Sequence, residues 1–211
     1  MKNKKDELQN IILGNGQVSY GNKLKKVQNF LRENASASVR AEKQKYLKSE
    51  EEDKLRAFIQ EENLYYDEQI LEDDFITEGA EQRVYRLDDF SVIKLNDSIF
   101  YEYWYDYFNS LLIHNYFFHT TAYQFLGFKF LNDKFYAVVK QDFIVTDEVT
   151  DTNIVKNFLE YNNFRNVRNN DYTNAELGII FEDLHDENVL TKDGAFYFID
   201  TIFYLTEKFF H

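Results

Sequence analysis

The stretch FEDLHDENVL, residues 181–190, decides which fold this sequence can form. Five of its polar side chains fall within six consecutive positions: Asp183, His185, Asp186, Glu187 and Asn188. Asp and Asn are common turn formers, so a solvated turn between two strands is one interpretation. Carboxylate and amide oxygens are also ligands of hard cations, so the centre of a functional site is the other.

The residues that follow predict a tight hairpin. The runs NVLT and AFYFID flank the turn KDG at residues 192–194. Asn188 lies where the chain enters this hairpin, and Asp200 lies where it leaves. Because a hairpin brings its open ends together, we expect these two residues to be neighbours, with Asp183 in the preceding loop. Three oxygen-bearing side chains at one point suit Mg²⁺, although Asp and Asn at hairpin ends are also caps and turn formers.

Two upstream features add phosphate-binding chemistry. Lys94 ends the strand-like run SVIK, where a lysine either protects a sheet edge or holds phosphate oxygens as a point charge. The stretch TEGAEQRVYR, residues 77–86, contains a turn at Gly79, and a backbone without a Cβ can approach a ligand closely. A single glycine is a weaker signal than a glycine-rich phosphate loop.

These motifs follow the order of a protein-kinase-like fold. DLHDEN resembles the catalytic loops of protein kinases and, more distantly, of aminoglycoside and choline phosphotransferases. Together, EGAEQRVYR, VIKLND, GFKF, AVVKQDFI, EDLHDENVL and FIDTIFYL resemble the kinase-like domain of polyvalent proteins of bacterial mobile elements and phages. The resemblance covers about residues 70–205. It implies an α+β chain with a minimal kinase-like fold: a β-rich N-lobe with one main helix, a truncated C-lobe and a preceding helical segment.

The resemblance also implies a role for each matching position, with ATP and Mg²⁺ as cofactors. Asp183 would be the catalytic base, and Asn188 and Asp200 would hold Mg²⁺. Lys94 would contact the α- and β-phosphates. The backbone of Gly79, Ala80, Glu81 and Gln82 would cover the phosphates. The hinge from Gln141 to Phe143 would contact adenine. Glu102 would be the partner that orients Lys94.

The helix after Lys94 and the residues between Asp183 and Asn188 give further expectations. Glu102 is expected in the first turn of a helix over residues 99–115, and Asp106, one turn further on, is the alternative partner of Lys94. His185 is expected to be structural. Asp186 and Glu187 are expected to be exposed turn acids.

The sequence also departs from the kinase pattern. It has one glycine in the phosphate turn, Phe181 and Glu182 before Asp183, and Thr201 instead of Phe-Gly after Asp200. With 11 residues after Asp200, we expect only a reduced C-lobe. The expected organisation is a basic helical segment at residues 1–69 that packs on the body, and a kinase-like domain at residues 70–211. Within that domain the N-lobe covers about 70–141 and the C-lobe about 142–211.

Local patterns ahead of the kinase-like region give further predictions. Residues 1–21 appear irregular because of Gly14, Gly16 and Gly21. A first helix is predicted at residues 23–31 and a second from Ser49, separated by a break at the small-residue run 34–41.

Composition and charge limit the function. The net charge of −13 argues against nucleic-acid binding over the whole surface. Residues 1–60 hold 13 Lys+Arg and 8 Asp+Glu, a net of +5, and the rest hold 11 and 29, a net of −18. The acidic body favours a cationic acceptor. The absence of Cys excludes thiolate metal sites, and no apolar run is long enough to span a membrane, so a cytoplasmic location is expected.

Three functions remain open at this point. The first is an ATP- and Mg²⁺-dependent phosphotransferase that acts on a protein Ser, Thr or Tyr or on itself. The second is a small-molecule kinase, favoured by the DLH motif and weakened by the short C-lobe. The third is a pseudokinase or nucleotide-binding interaction module, favoured by the poor glycine loop.

Overall fold

The structure is a computed structural model that describes residues 3–14, 22–41, 48–146 and 148–211. Its helices are α1 (Lys4–Ile12), α2 (Asn22–Ala41), α3 (Lys48–Glu61), α4 (Trp104–Phe117) and α5 (Thr152–Tyr161). Its strands are β1 (Phe75–Glu78), β2 (Gln82–Arg86), β3 (Ser91–Asn96), β4 (Gln124–Leu131), β5 (Lys134–Asp142), β6 (Arg165–Arg168), β7 (Asp171–Asn174), β8 (Ile179–Glu182), β9 (Val189–Lys192), β10 (Ala195–Phe198) and β11 (Ile202–Leu205). The predicted α+β class is confirmed.

The described residues divide into two compact units. The five-stranded unit consists of those within Val18–Phe108 and Tyr123–Phe143. The four-stranded unit consists of those within Met1–Gln17, Asn109–Ala122 and Ile144–His211. Each unit takes its name from its larger sheet.

An antiparallel sheet in the order β1-β2-β3-β5-β4 forms the centre of the five-stranded unit. The LDDF turn at residues 87–90 joins β2 to β3, and the LNDK turn at residues 131–134 joins β4 to β5. Every residue of β3 is buried, because β2 and β5 flank it on both edges. The sheet therefore places Lys94 on its central strand, and the sheet-edge interpretation of this lysine is wrong.

Helices α2 and α3 belong to the same unit. The rings of Phe30 and Phe58 stack between the two helices with centroids 4.0 Å apart. Lys23 Nζ donates a hydrogen bond of 3.1 Å to the Leu126 carbonyl of β4. On α3, Leu55 and Ile59 are fully buried, as their spacing of four residues predicts for one helix face.

The four-stranded unit contains a sheet in the order β11-β8-β7-β6 and the separate hairpin of β9 and β10. The sequence predicted this hairpin, but it did not predict β6, β7 or β11. Phenylalanine rings fill the core: Phe181 stacks on Phe203 and Phe118 stacks on Phe198, each pair with centroids 4.2 Å apart. The closely spaced strands of this unit carry the polar loops described below.

Three helix predictions are wrong in their bounds. Residues 4–12 form α1 instead of an irregular segment, because Asn3 caps the helix and Leu8 and Ile12 are buried on one face; residues 15–21 lie outside the described chain. The predicted break at 34–41 is helical, since α2 continues to Ala41 and this run contains neither Gly nor Pro. The helix predicted from residue 99 begins only at Trp104. Within the described part of the chain, no helix has the length and apolar character needed to cross a membrane.

Candidate functional site

One end of the four-stranded sheet gathers the residues predicted for metal binding and proton transfer. Strands β8 and β11 are antiparallel, and Glu182 is paired with Ile202. Asp183 therefore leaves β8 at the same end at which Thr201, just after Asp200, enters β11.

Asp183 and Asn188 are in direct contact. Asn188 Nδ2 donates a hydrogen bond of 3.0 Å to Asp183 Oδ2 and another of 2.8 Å to the Asp183 carbonyl oxygen. Asp183 has a left-handed backbone, with φ of 62°. This conformation is one that Asp and Asn tolerate better than most residues. The Asn188 amide thus fixes both the backbone and the carboxylate of Asp183.

The hairpin of β9 and β10 brings Asn188 beside the residues around Asp200. Val189 is paired with Phe198 at the open end of the hairpin. Beyond this pair, Ile199 N donates a hydrogen bond of 3.0 Å to the Asn188 carbonyl oxygen. The expected neighbourhood of Asn188 and Asp200 is therefore present in the backbone.

His185 organises the loop between Asp183 and Asn188. Its carbonyl oxygen accepts hydrogen bonds from Asn188 N and Val189 N, at 3.0 and 3.1 Å. Its Nδ1 accepts from Glu187 N at 3.3 Å, and its Nε2 lies 3.5 Å from Asp183 Oδ1. The structural interpretation of His185 agrees with these contacts, and the side chains of Asp186 and Glu187 are exposed as predicted.

The donor set at this end of the sheet fits Mg²⁺. The Asn188 NH₂ group is directed to Asp183, so its amide oxygen is the atom that remains for a cation. Asp200 supplies a carboxylate on the neighbouring turn. Because Mg²⁺ usually keeps water and phosphate oxygens in most of its six positions, two protein ligands of this kind suffice.

Lys94 lies in the five-stranded unit, on β3 between Val84 of β2 and Val139 of β5. Only 3% of Lys94 is exposed, and its Nζ lies 5.7 Å from the centre of the Tyr123 ring. Lysine is almost never buried this deeply unless its charge is paired. The position agrees with a lysine that serves as a fixed positive charge.

The predicted phosphate turn joins β1 to β2. Gly79 N donates a hydrogen bond of 2.8 Å to the Gln82 carbonyl, which closes the turn around Ala80 and Glu81. The Glu81 carbonyl accepts from Asp97 N at 3.0 Å, and this bond ties the turn to the end of β3. A Cβ added to Gly79 would meet only the Gln82 carbonyl oxygen, at 3.9 Å. The fold itself therefore does not require glycine at this position.

The predicted hinge, Gln141 to Phe143, begins with the last two residues of β5. Gln141 is 1% exposed and paired with Val92 in the sheet. Phe143 N donates a hydrogen bond of 2.8 Å to the Phe90 carbonyl, and the guanidinium carbon of Arg86 lies 4.6 Å from the centre of the Phe143 ring. These contacts fix the backbone at the end of the strand.

Glu102 does not lie on α4, contrary to the sequence prediction. It precedes the helix, its side chain is exposed, and its Oε1 accepts a hydrogen bond of 3.2 Å from the Tyr103 hydroxyl. The alternative residue, Asp106, is in the first turn of α4, and burial raises its pKa to about 6.

The start of α4 is set by a carboxylate that the sequence analysis did not identify. Glu51 of α3 is 1% exposed, and its oxygens accept hydrogen bonds from Trp104 N at 2.6 Å and Tyr105 N at 3.1 Å. Burial raises the pKa of Glu51 to about 7. Lys48, one turn earlier, donates from Nζ to the carbonyls of Ser98 and Tyr101.

The sequence analysis also did not identify two groups near the acidic loop, which we define as residues 183–188 between β8 and β9. Asp171 Oδ1 accepts a hydrogen bond of 3.3 Å from Asp183 N. Burial raises the pKa of Glu182, and the charges of Asp171 and Asp183 act in the same direction. His114 of α4 is fully buried, with its Nδ1 2.7 Å from Thr201 Oγ1. No local pattern marks either residue, since each acts on a partner distant in the sequence.

Comparison with known proteins supports the motif-based resemblance. The model of the family described as "Serine/Threonine/Tyrosine Kinase found in polyvalent proteins" matches residues 48–207. No curated protein and no solved structure matches the chain. The family match begins at the first residue of α3 and includes every predicted site residue.

Proposed function

We propose, from the premise that this chain belongs to the serine/threonine/tyrosine kinase family of polyvalent proteins, that it transfers the γ-phosphoryl group of ATP to a protein hydroxyl with the help of Mg²⁺. The family is one of phosphotransferases. The acceptor hydroxyl belongs to a Ser, Thr or Tyr of another protein or of the chain itself.

The observation that carries this proposal is the arrangement around Asn188. Its side chain holds Asp183 through two hydrogen bonds, and its carbonyl oxygen holds the backbone next to Asp200. The residues that we propose as proton acceptor and as cation ligands therefore all lie at one end of the four-stranded sheet. Phosphoryl transfer needs positioning and charge neutralisation more than covalent chemistry, and this set supplies both.

Each residue then has a definite part in the reaction. Asp183 orients the acceptor hydroxyl and takes its proton as the oxygen attacks the γ-phosphorus. The bond from that phosphorus to the bridging oxygen breaks, and ADP leaves with its electron pair. Lys94 holds the α- and β-phosphate oxygens as a point charge. Mg²⁺, when bound by Asn188 and Asp200, neutralises negative charge on the phosphates.

The position of Glu102 favours a second candidate function. Glu102 is exposed and precedes α4, so it does not occupy the helical position that the resemblance implied for it. A chain that binds nucleotide through the same residues and transfers phosphate very slowly is the alternative. Binding and transfer therefore have to be measured separately.

Binding is tested by the thermal stability of the full chain with and without Mg-ATP. Ligand at about 100 times its dissociation constant is expected to stabilise the wild type by roughly 2.7 kcal/mol. Asp200→Asn is expected to lose most of this gain. Asp193→Asn is the matched control, because Asp193 is an exposed acid in the turn of the same hairpin with φ of 51°, which Asn also tolerates. A wild type without any shift would contradict the proposal.

Transfer is tested with Asp183→Asn and ATP labelled at the γ-phosphate, using Ser-, Thr- and Tyr-containing peptides and the chain itself as acceptors. Asn accepts the left-handed backbone at 183, and Asn188 can still bond the carbonyl of that residue. We expect the transfer rate to fall by about 10² to 10⁴. A rate within a fewfold of the wild type would refute the base assignment, and a wild type that binds without transfer would support the second candidate.

A further inference from the structure

A buried hydrogen-bonded chain holds the backbone on both sides of Asp200. His114, fully buried on α4, has its Nδ1 2.7 Å from Thr201 Oγ1 and its Nε2 2.8 Å from the Thr121 carbonyl oxygen. Thr121 Oγ1 donates a hydrogen bond of 2.6 Å to the Phe198 carbonyl. Residues 198 and 201 are thus both tied to the segment from α4 to Thr121.

If the His114 ring is neutral, the donors and acceptors of these hydrogen bonds allow only one arrangement. The Thr121 carbonyl can only accept, so the ring proton is on His114 Nε2. Nδ1 is then an acceptor, and the Thr201 hydroxyl donates to it. The direction of the Thr201 hydroxyl is therefore fixed. Thr201 is the residue directly after Asp200.

A third contact anchors the following strand. Ser110 Oγ, one turn before His114 on α4, accepts a hydrogen bond of 3.0 Å from Phe203 N. Backbone or side-chain groups of residues 198, 201 and 203 are all bonded to the segment 110–121. Asp200 lies within this span, so the backbone on both sides of it is held by buried hydrogen bonds, and breaking one of them would leave a buried polar group unpaired at a cost in stability.

We propose that His114, Thr121 and Thr201 are positioning residues, which hold Asp200 in the orientation that binds Mg²⁺ with ATP. The inference rests on the proposed function, because it assigns to this network the cation ligand of that site. It also explains why Thr follows Asp200 where kinases carry Phe: the hydroxyl reaches a histidine instead of packing a ring. Groups that orient a metal ligand typically contribute 10- to 100-fold in metal affinity.

Thr201→Val tests the inference, since valine keeps the branched shape and removes the hydroxyl. The measured quantity is the Mg²⁺ concentration that gives half-maximal binding of ATP to the full chain, by titration calorimetry. We expect Thr201→Val to raise this concentration by about 10- to 100-fold. Binding of ATP without Mg²⁺ is expected to stay unchanged. Thr201→Ser, which restores the hydroxyl, is expected to return the concentration to within about threefold of the wild type.

Thr191→Val is the matched control for loss of a buried hydroxyl. Thr191 is 7% exposed, as Thr201 is, and its Oγ1 lies 2.8 Å from Thr150 Oγ1 in the same unit. It is expected to lower thermal stability and to leave the Mg²⁺ requirement unchanged. If Thr201→Val does not fold, Thr201→Ala is compared with Thr201→Ser in the same titration.

The outcomes separate the two proposals. In the first outcome, the wild type binds ATP with Mg²⁺, and Thr201→Val (or Thr201→Ala in its place) needs the same Mg²⁺ concentration as the wild type or Thr191→Val. The positioning role is then overturned and the proposed function stands. If the wild type binds no ATP at any Mg²⁺ concentration, both are overturned. A raised Mg²⁺ requirement that Thr201→Ser restores supports the positioning role, because a loss of stability alone does not produce this pattern.

Discussion

Gly79 shows how a single residue separates the needs of the fold from the needs of a ligand. Its backbone is not in the left-handed region, and an added Cβ would have only one neighbour within 4 Å. Gly194 is the opposite case, with φ of 70° and no atom within 4 Å of an added Cβ. Glycine is therefore favoured at 194 by the backbone, whereas at 79 the described fold leaves room for a side chain.

Gly79→Ala is expected to weaken ATP binding without weakening the fold. The methyl group would project from a turn whose backbone covers the phosphates in the proposed function. We expect the dissociation constant for Mg-ATP to rise about tenfold, or about 1.4 kcal/mol. The free energy of unfolding is expected to stay constant or to rise by up to about 1 kcal/mol, because alanine reduces the freedom of the unfolded chain.

Gly194→Ala serves as the control with the reverse pattern. Its left-handed backbone is expected to cost about 1 to 2 kcal/mol of stability, and ATP affinity is expected to stay unchanged. Calorimetric titration gives the ATP affinity of both variants, and thermal unfolding gives their stability. Equal ATP affinity in Gly79→Ala and wild type would remove the turn at 79 from the binding site.

The residues of the acidic loop differ in how far the sequence could predict them. The neighbourhood of Asn188 and Asp200 follows from one short hairpin, so local turn chemistry was sufficient. His114 and Thr201 are 87 positions apart, and Asp171 begins β7 whereas Asp183 follows β8. Such pairs depend on the tertiary packing of β7, β8 and α4, which no local pattern determines.

At the scale of elements, the contact between α3 and α4 explains why the helix prediction began too early. Propensity and periodicity place a helix start near residue 99, but Asn96 and Asp97 accept hydrogen bonds from Ser98 N and Ile99 N and form turns there. Glu51 then accepts hydrogen bonds from the backbone N–H groups of Trp104 and Tyr105 at the start of the helix. A capping group 53 residues away is not visible to a local reading of the sequence.

The buried carboxylate of Glu51 predicts a pH-dependent stability. Its pKa is raised from 4.5 to about 7 by burial, with Asp106 acting in the same direction and with Lys48 and the N–H groups of Trp104 and Tyr105 acting against it. The folded protein therefore binds this proton more tightly than the unfolded chain. The free energy of unfolding should fall as pH rises from about 4.5 to about 7, and the loss should be complete above that range.

Glu51→Gln is expected to flatten this dependence, because glutamine has no proton to lose and still offers one amide oxygen to the helix. Urea unfolding at several pH values between 5 and 8 measures the slope. Burial raises the pKa of Asp106 to about 6, so Asp106 contributes a smaller pH dependence of the same sign to the free energy of unfolding. Asp106→Asn should therefore remove the pH dependence that remains in Glu51→Gln. Glu50→Gln, at an exposed neighbour on α3, is the control and should keep the wild-type slope. An unchanged slope in Glu51→Gln would show that this carboxylate is ionised over the whole range.

At the scale of the whole molecule, charge is the property that the sequence determines completely. The net charge is −13, and the residues beyond 60 carry −18 against +5 for residues 1–60. The part of the chain that holds every proposed site residue is therefore strongly acidic. A field of one sign concentrates ligands of the opposite sign, and its reach falls with added salt.

If the chain transfers phosphate to peptides, the flanking charges of the acceptor should control KM. At low salt, where the Debye length is about 30 Å, a Ser, Thr or Tyr peptide flanked by Lys should have a KM about tenfold or more below that of the same peptide flanked by Glu. Near 1 M salt the Debye length shrinks to about 3 Å, and the two KM values should converge. The value of kcat should differ little, because the flanking charges act on the encounter and not on the groups at the γ-phosphate. Equal KM values at low salt, or a difference that salt leaves intact, would mean that specific contacts and not the acidic field select the acceptor.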